Sequence, residues 1–348
     1  MALASAALFG VSTPAAKLLV GAVHPVLLAG LLYCGAGIGV ALLRRLWPAL
    51  PGRDAAPEVA LTRAQWPWLI ASIVAGGLVG PALLMIGLGR TDAATASLLL
   101  TFEGAATVLM AWFLFHENFD RRIALGMLLL IAGAVTLSWA GTPSLAGAIG
   151  PLAVIGACIS WGFDNNFTRK VSLADPFQIV ELKGLIAGPI NLALAFSAGA
   201  AIPAVSSALA AGIIGFLGYG VSLVLYVVAL RHLGAARTSA YFSTGPFIGA
   251  MAAIVAVGEP LTLQLVIAGA LMAAGVWLHL TEHHEHEHVH EPMAHSHPHW
   301  HDGHHQHAHR PEDPPGEPHT HWHEHGRLKH KHPHVPDMHH AHRHSASA

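Results

Sequence analysis

The stretch AATASLLLTFEGAATVLMAWFLFHE, residues 93–117, decides the fold. It is apolar almost throughout and long enough to cross a bilayer as a helix, for which about 20 residues are needed. One carboxylate, Glu103, stands near its middle and is followed at once by Gly104, a weak helix former. An ionisable side chain at hydrocarbon depth costs roughly 2.5–3.5 kcal/mol on insertion scales, so it marks a pathway or a coupling site. Shifted by 142 residues, AARTSAYFSTGPFIGAMAAIVAVGE (235–259) repeats the outline. Ala93, Ala94, Ser97, Ala111 and Glu117 fall on Ala235, Ala236, Ser239, Ala253 and Glu259, and Gly104 falls on Pro246. Each copy thus interrupts an apolar helix at its centre, one by omitting a side chain and one by omitting a backbone donor. Matching Gly/Pro interruptions in two halves of a chain point to a transporter's binding site.

Composition agrees with a membrane setting. Of 348 residues, 53% are hydrophobic and 11% charged, and 36 are Gly, an unusual mix for a soluble domain. Ten apolar segments of spanning length follow one another, at 1–21, 24–43, 66–88, 92–115, 122–140, 147–168, 177–198, 208–230, 234–257 and 262–280. The first lacks a basic leader and carries Pro14 and Lys17, so it reads as a retained span and not as a signal peptide. Arg44, Arg45, Arg53, Arg63, Arg121, Arg122, Arg169, Lys170, Arg231 and Arg237 fall in or at the edges of even-numbered loops, and the odd ones carry little beyond Arg90. Positive-inside bias then places those loops, both termini and the C-terminal tail in the cytoplasm, across an inner (plasma) membrane.

The halves also match at their beginnings. LFGVSTPAAK (8–17) aligns with SWGFDNNFTRK (160–170), and His24-Pro25 with Asp175-Pro176. Five helices per half is an odd number, so the second half runs through the bilayer in the opposite sense, as an inverted repeat. The expected fold is an all-α membrane protein of ten transmembrane helices. Residues 1–140 and 147–280 form the two five-helix repeats, and 281–348 a disordered tail. The repeated FG/WG opening, the AS-LLL…G/P…E segments and the closing helices IALGMLLLIAGAVTLSW and LVIAGALMAAGVW resemble the EamA family of the drug/metabolite transporter superfamily. The resemblance covers about residues 1–280 and implies a ten-helix permease for a small solute, often an exporter of metabolites or amino acids. Two departures stand out. Gly104 occupies a place where that family usually has Pro, and Glu103 one where it usually has a small polar residue.

Candidate pathway residues follow from polarity at depth. Glu103 could load and release a proton during a cycle, or it could be a structural carboxylate paired with Lys183 or Lys17. Asp164, Asn165 and Asn166 form a polar run in the sixth segment and should face the bundle or a cavity. Glu181 and Lys183, two residues apart on one helix, point to different sides and are not expected to pair. Lys17 ends its segment on the less basic side. Glu117 and Glu259 read as helix-end structure, and His24, His116, His232 and His279 as interfacial histidines.

Beyond Leu280 the composition changes. Residues 1–280 carry a net charge of +3, the remainder −5 together with 24 of the 28 His. His284, His286, His288, His290, His295, His297, His299, His301, His304, His305, His307 and His309 recur at short spacing among Pro, Glu and Asp. Neutral imidazole suits zinc, nickel or cobalt, so the tail is expected to hold several weak, exchangeable metal sites or to act as a pH-responsive segment. Cys34 and Cys158 lie in apolar runs and offer no disulfide framework. No phosphate-binding loop is present, which leaves ATP-driven pumping without support. The functional expectation is a secondary transporter, not an enzyme, that moves a small metabolite outward with proton exchange and requires no cofactor. The alternative is a divalent-metal exporter fed by the tail. Partners would be the solute or ion and the lipid bilayer, with a second copy as a homodimer allowed and no nucleic acid.

Overall fold

The computed structural model describes residues 1–46, 60–115, 121–138, 145–172, 174–281, 284–290, 293–299, 319–325 and 328–334. The first half comprises α1 (Ala2–Lys17), α2 (Pro25–Leu46), a rod of α3 (Trp66–Ser72) and α4 (Gly80–Leu88), then α5 (Ala93–Leu99), α6 (Phe102–Phe115) and α7 (Arg121–Ser138). The second comprises α8 (Leu145–Arg169), α9 (Pro176–Ser197), a rod of α10 (Val205–Gly215) and α11 (Ser222–Phe242), then α12 (Gly245–Ala252) and α13 (Leu263–Leu280). Among the described residues, five helical stretches are long and apolar enough to cross a membrane, within 25–46, 63–88, 147–169, 176–197 and 205–230. Shorter apolar helices cover 124–137, 245–257 and 263–278.

Local chemistry sets the helix ends. Asp92 accepts the Thr95 N–H at 3.0 Å and starts α5, Asp175 accepts the Phe177 N–H at 2.9 Å before Pro176, and Thr262 caps α13 through Leu265 N–H. The eighth and ninth expected segments differ from this pattern. Residues 231–233 form no turn, and α11 runs through them as far as Phe242. The first repeat has Asp92 to start a new helix, whereas the matching place in the second is Gly234, which has no side chain to cap with, and no Pro stands in 231–234.

Both rods contain a π-helical turn at the same place in their repeat, Ile73–Val79 between α3 and α4 and Phe216–Val221 between α10 and α11. α2 lies along α9, α7 along α13, α4 and α6 along α8, and α1 along α12. The α2–α9 contact is close because Gly37 faces Gly184. A Cβ on Gly184 would sit 2.4 Å from the Gly37 backbone, the small-residue packing by which membrane helices approach without a hydrophobic driving force.

In the tail, β1 (His284–His290) pairs antiparallel with β4 (Leu328–His334), and β2 (Met293–His299) with β3 (His319–His325); His at every second position has the repeat of a strand. His301, His304, His305, His307 and His309 lie outside the described residues, as do His116 and Glu117.

Candidate functional site

The two halves meet at paired breaks. In the first, α5 ends at Leu99 and α6 begins at Phe102; in the second, α11 ends at Phe242 and α12 begins at Gly245. Both breaks fall a few residues ahead of the expected Gly104 and Pro246. At the first, Thr101 Oγ1 donates to the Leu98 carbonyl at 2.8 Å and the Glu103 N–H bonds back to Leu100, which tightens the chain into a short turn. At the second, Thr244 Oγ1 does the same to Tyr241 at 2.7 Å, and Pro246 sits in the first turn of α12, where its missing N–H costs nothing.

Between the breaks lie two adjoining cavities of about 20 and 50 Å³ that share Phe9, Glu103, Asn165, Tyr226 and Phe242. Gly104, Thr107, Ser243 and Pro246 line the smaller, and Tyr33, Trp161, Asp164 and Tyr219 the larger. Asn165 Nδ2 donates to Glu103 Oε1 at 3.0 Å and to Thr107 Oγ1 at 3.1 Å, so a residue of the second repeat orients the carboxylate of the first. Asp164, 6% exposed, accepts at one oxygen from Lys183 Nζ at 2.6 Å, Ser72 Oγ at 2.6 Å and Thr168 Oγ1 at 2.9 Å. Lys183 is 1% exposed. Rings close the remaining walls: Phe9 stands edge-on to Trp161 and Tyr219 with centroids 5.7 and 5.9 Å apart, and Tyr226 edge-on to Phe242 at 4.9 Å.

The sequence candidates therefore divide. Glu103, Gly104, Pro246, Asp164 and Asn165 border the same space, with Lys183 behind Asp164. Glu103 hydrogen-bonds to Asn165 and not to Lys183, which is held by Asp164, or to Lys17, which is held by backbone carbonyls. Asn166 turns aside and donates to the carbonyls of Thr107 and Gly162, bracing α6 on α8. Lys17 lies elsewhere. Its ammonium holds the Leu88 carbonyl and, at 2.7 Å, that of Thr91, at the end of α4. Glu181 pairs with Arg44 at 3.0 Å, and Glu259 accepts the N–H groups of Ala93 and Ala94, each at 2.7 Å. Sequence reasoning missed the aromatic wall. Its signal was Tyr and Phe well inside the spans, away from the interfacial places where such rings usually anchor. Among the described residues no group of three or more His, Cys, Asp and Glu could hold a metal ion.

A helical bundle built from two similar halves, with broken helices meeting at a buried carboxylate, is the architecture of a membrane carrier. The model of the EamA-like transporter family matches residues 1–139 and 148–281, and the chain belongs to that family. It is an integral membrane protein. Over 283 residues it is 27% identical to an uncharacterized transporter of Methanothermobacter thermautotrophicus, covering 78% of this chain and 82% of that one. Its identity to the uncharacterized transporter YvbV of Bacillus subtilis is 24%, covering 76% and 85%. A 78-residue segment, 22% of this chain, is 37% identical to 65% of a probable 4-amino-4-deoxy-L-arabinose-phosphoundecaprenol flippase subunit ArnE of Pseudomonas paraeruginosa. A solved structure titled only as the crystal structure of a protein shares the fold, with TM-score 0.58, 21% identity and coverage of 80% of this chain and 94% of that one.

Proposed function

We propose that this protein is a secondary transporter that carries a small metabolite out of the cytoplasm in exchange for protons, with Glu103 as the group that binds and releases the proton. The observation that carries this reading is the meeting of two helix breaks, one from each repeat, at a chamber whose carboxylate is oriented by the opposite repeat. A site so divided changes shape when the repeats move against each other, which is what alternating access requires. Both termini and the His-rich tail lie on the cytoplasmic side in this reading, by the placement of the basic loops.

The tail binds zinc, nickel or cobalt as an accessory to transport. In its support, His recurs at short spacing through the tail among Asp and Glu, and neutral imidazole suits these ions.

The test compares four strains: gene deleted, full-length, truncated after Leu280, and Glu103→Gln. Solutes in the medium and cellular metals are measured by mass spectrometry. At least one organic solute should accumulate outside cells with full-length or truncated protein and fall to the deletion level with Glu103→Gln. Identical external profiles in all four strains would sink the metabolite reading. A cellular nickel, cobalt or zinc content lowered by the full-length protein and not by Glu103→Gln would make the metal the cargo.

A further inference from the structure

We propose that the chamber selects a small organic cation, an ammonium group on an aromatic or otherwise apolar body, over neutral and anionic solutes of the same shape. The inference rests on the transport reading and specifies its substrate class. It begins with the charges around the chamber. Asp164 and Lys183 form a buried pair at 2.6 Å, and the same carboxylate oxygen already takes two hydroxyl donors. The pair is internally compensated. Among the described residues Glu103 has no such counter-ion. Asn165 and Thr107 are polar side chains beside it, and among the described side chains no Lys, Arg or His lines either cavity. Asn165 engages Oε1, whereas Oε2 accepts no hydrogen bond among the described residues. A lone carboxylate at this depth calls for a proton or a cation.

The walls decide which kind of cation. Phe9, Tyr226 and Phe242 border both cavities together with Glu103, and Tyr219 and Trp161 extend the ring surface through edge-to-face contacts with Phe9. Ring faces attract an alkylated or primary ammonium by their quadrupole, most strongly where water is excluded, and they receive an apolar body by burial. A hard metal ion would need several oxygen ligands, which these walls do not supply. Tyr219 adds a polar contact. It is 6% exposed, it borders the larger cavity beside Ser12, and among the described residues its hydroxyl makes no hydrogen bond of good geometry, so it can accept an ammonium N–H or bond a substituent on the body. A carboxylate-bearing solute would meet Glu103 with no basic group among the described lining residues to offset the repulsion.

The test uses full-length protein in phosphatidylcholine nanodiscs, whose neutral surface does not itself concentrate cations. Three probes with one shared body, benzylammonium, benzyl alcohol and benzoate, are titrated calorimetrically at pH 7.5. Benzylammonium should bind at least tenfold more tightly than either of the others. Glu103→Gln should lower its affinity by at least tenfold while leaving benzyl alcohol within about twofold, since a tenfold change corresponds to ~1.4 kcal/mol. Should Glu103→Gln fail to fold, Phe242→Leu serves instead, with a severalfold loss for benzylammonium and a smaller one for benzyl alcohol. Equal affinity for benzylammonium and benzyl alcohol, or tightest binding of benzoate, would overturn the proposal. Counterflow in proteoliposomes separates the two readings. Counterflow of benzyl alcohol or benzoate without benzylammonium selectivity rejects the cation and leaves transport standing. Selective benzylammonium binding without counterflow of any solute rejects transport and leaves the recognition chemistry standing.

Discussion

At the residue scale, Asp164 and Lys183 are the most consequential pair. Two charges taken out of water are held by one short contact and by the hydroxyls of Ser72 and Thr168. Pairs of this kind contribute little net stability, but removing one partner leaves the other buried and uncompensated, at a cost of about 3–5 kcal/mol. Lys183→Met should therefore be strongly destabilised. Lys183→Met combined with Asp164→Asn should recover most of the loss, because it leaves no charge behind while Ser72 and Thr168 keep a polar neighbour. The measurement is a double-mutant cycle on unfolding of the solubilised protein. Additive single effects would show that the two side chains do not depend on each other. Space is equally tight at this point, since a Cβ on Gly76 would fall 1.8 Å from Asp164 Oδ2.

At the element scale, the two π-turns look alike but are held differently. A π-turn inside a helix leaves carbonyls without their usual partner. In the first rod, Ser160 Oγ donates to Ala75 at 2.8 Å, Tyr33 Oη and Trp161 Nε1 to Gly76 at 2.5 and 3.1 Å, and Asn191 Nδ2 to Gly77 at 2.8 Å. The corresponding places in the other repeat hold Leu8, Gly184, Phe9 and Val40, and among the described residues no side chain donates to the carbonyls of 216–220. The first rod is thus pinned inside its π-turn by four donors, whereas the second, which presents Tyr219 to the chamber, is pinned one residue beyond its turn, where Ser5 Oγ donates to the Ser222 carbonyl at 2.7 Å and Ser222 Oγ to the Ser5 carbonyl at 2.9 Å. Asn191→Leu should then cost about 1–3 kcal/mol, the penalty for a buried carbonyl left unmet. Substituting its counterpart by the near-isosteric Val40→Thr should cost less. Equal losses in thermal unfolding would contradict the asymmetry. The sequence made part of this legible. The internal repeat, the paired helix breaks and the depth of Glu103 follow from spacing and residue type alone. The π-turns do not, because Gly76-Gly77 and Gly218-Tyr219-Gly220 read only as flexible helix until donors from other helices are in place. The aromatic wall was hidden for a related reason: Phe9 and Phe242 lie more than 230 residues apart and meet only through the repeat interface.

For the whole molecule, the contacts between repeats at its two ends are of different kinds. Where α2 ends, Arg44 reaches Asp175 at 2.8 Å and Glu181 at 3.0 Å, tying the first repeat to the start of α9. Where α12 gives way to Gly258, in the left-handed conformation at φ 77°, Glu259 turns back and accepts two N–H groups at the start of α5. A carboxylate at that place also meets the positive end of the helix dipole. A carrier built from two repeats exposes its chamber by parting one such end at a time, so weakening one contact should bias the molecule toward that side. A change of 1–2 kcal/mol would shift the balance about 5–30-fold. The reporter is Ser243→Cys on the chamber wall, in a background of Cys34→Ala and Cys158→Ala, labelled by an impermeant maleimide in right-side-out and inverted vesicles. In the orientation proposed above, Glu259→Gln should speed labelling severalfold from the outer face, and Arg44→Gln from the cytoplasmic face. If either variant changed labelling equally from both faces, its contact would be ordinary helix-end packing, and the parting of the repeats would be controlled elsewhere, with the second rod and its Ser5–Ser222 tie to α1 the first place to look.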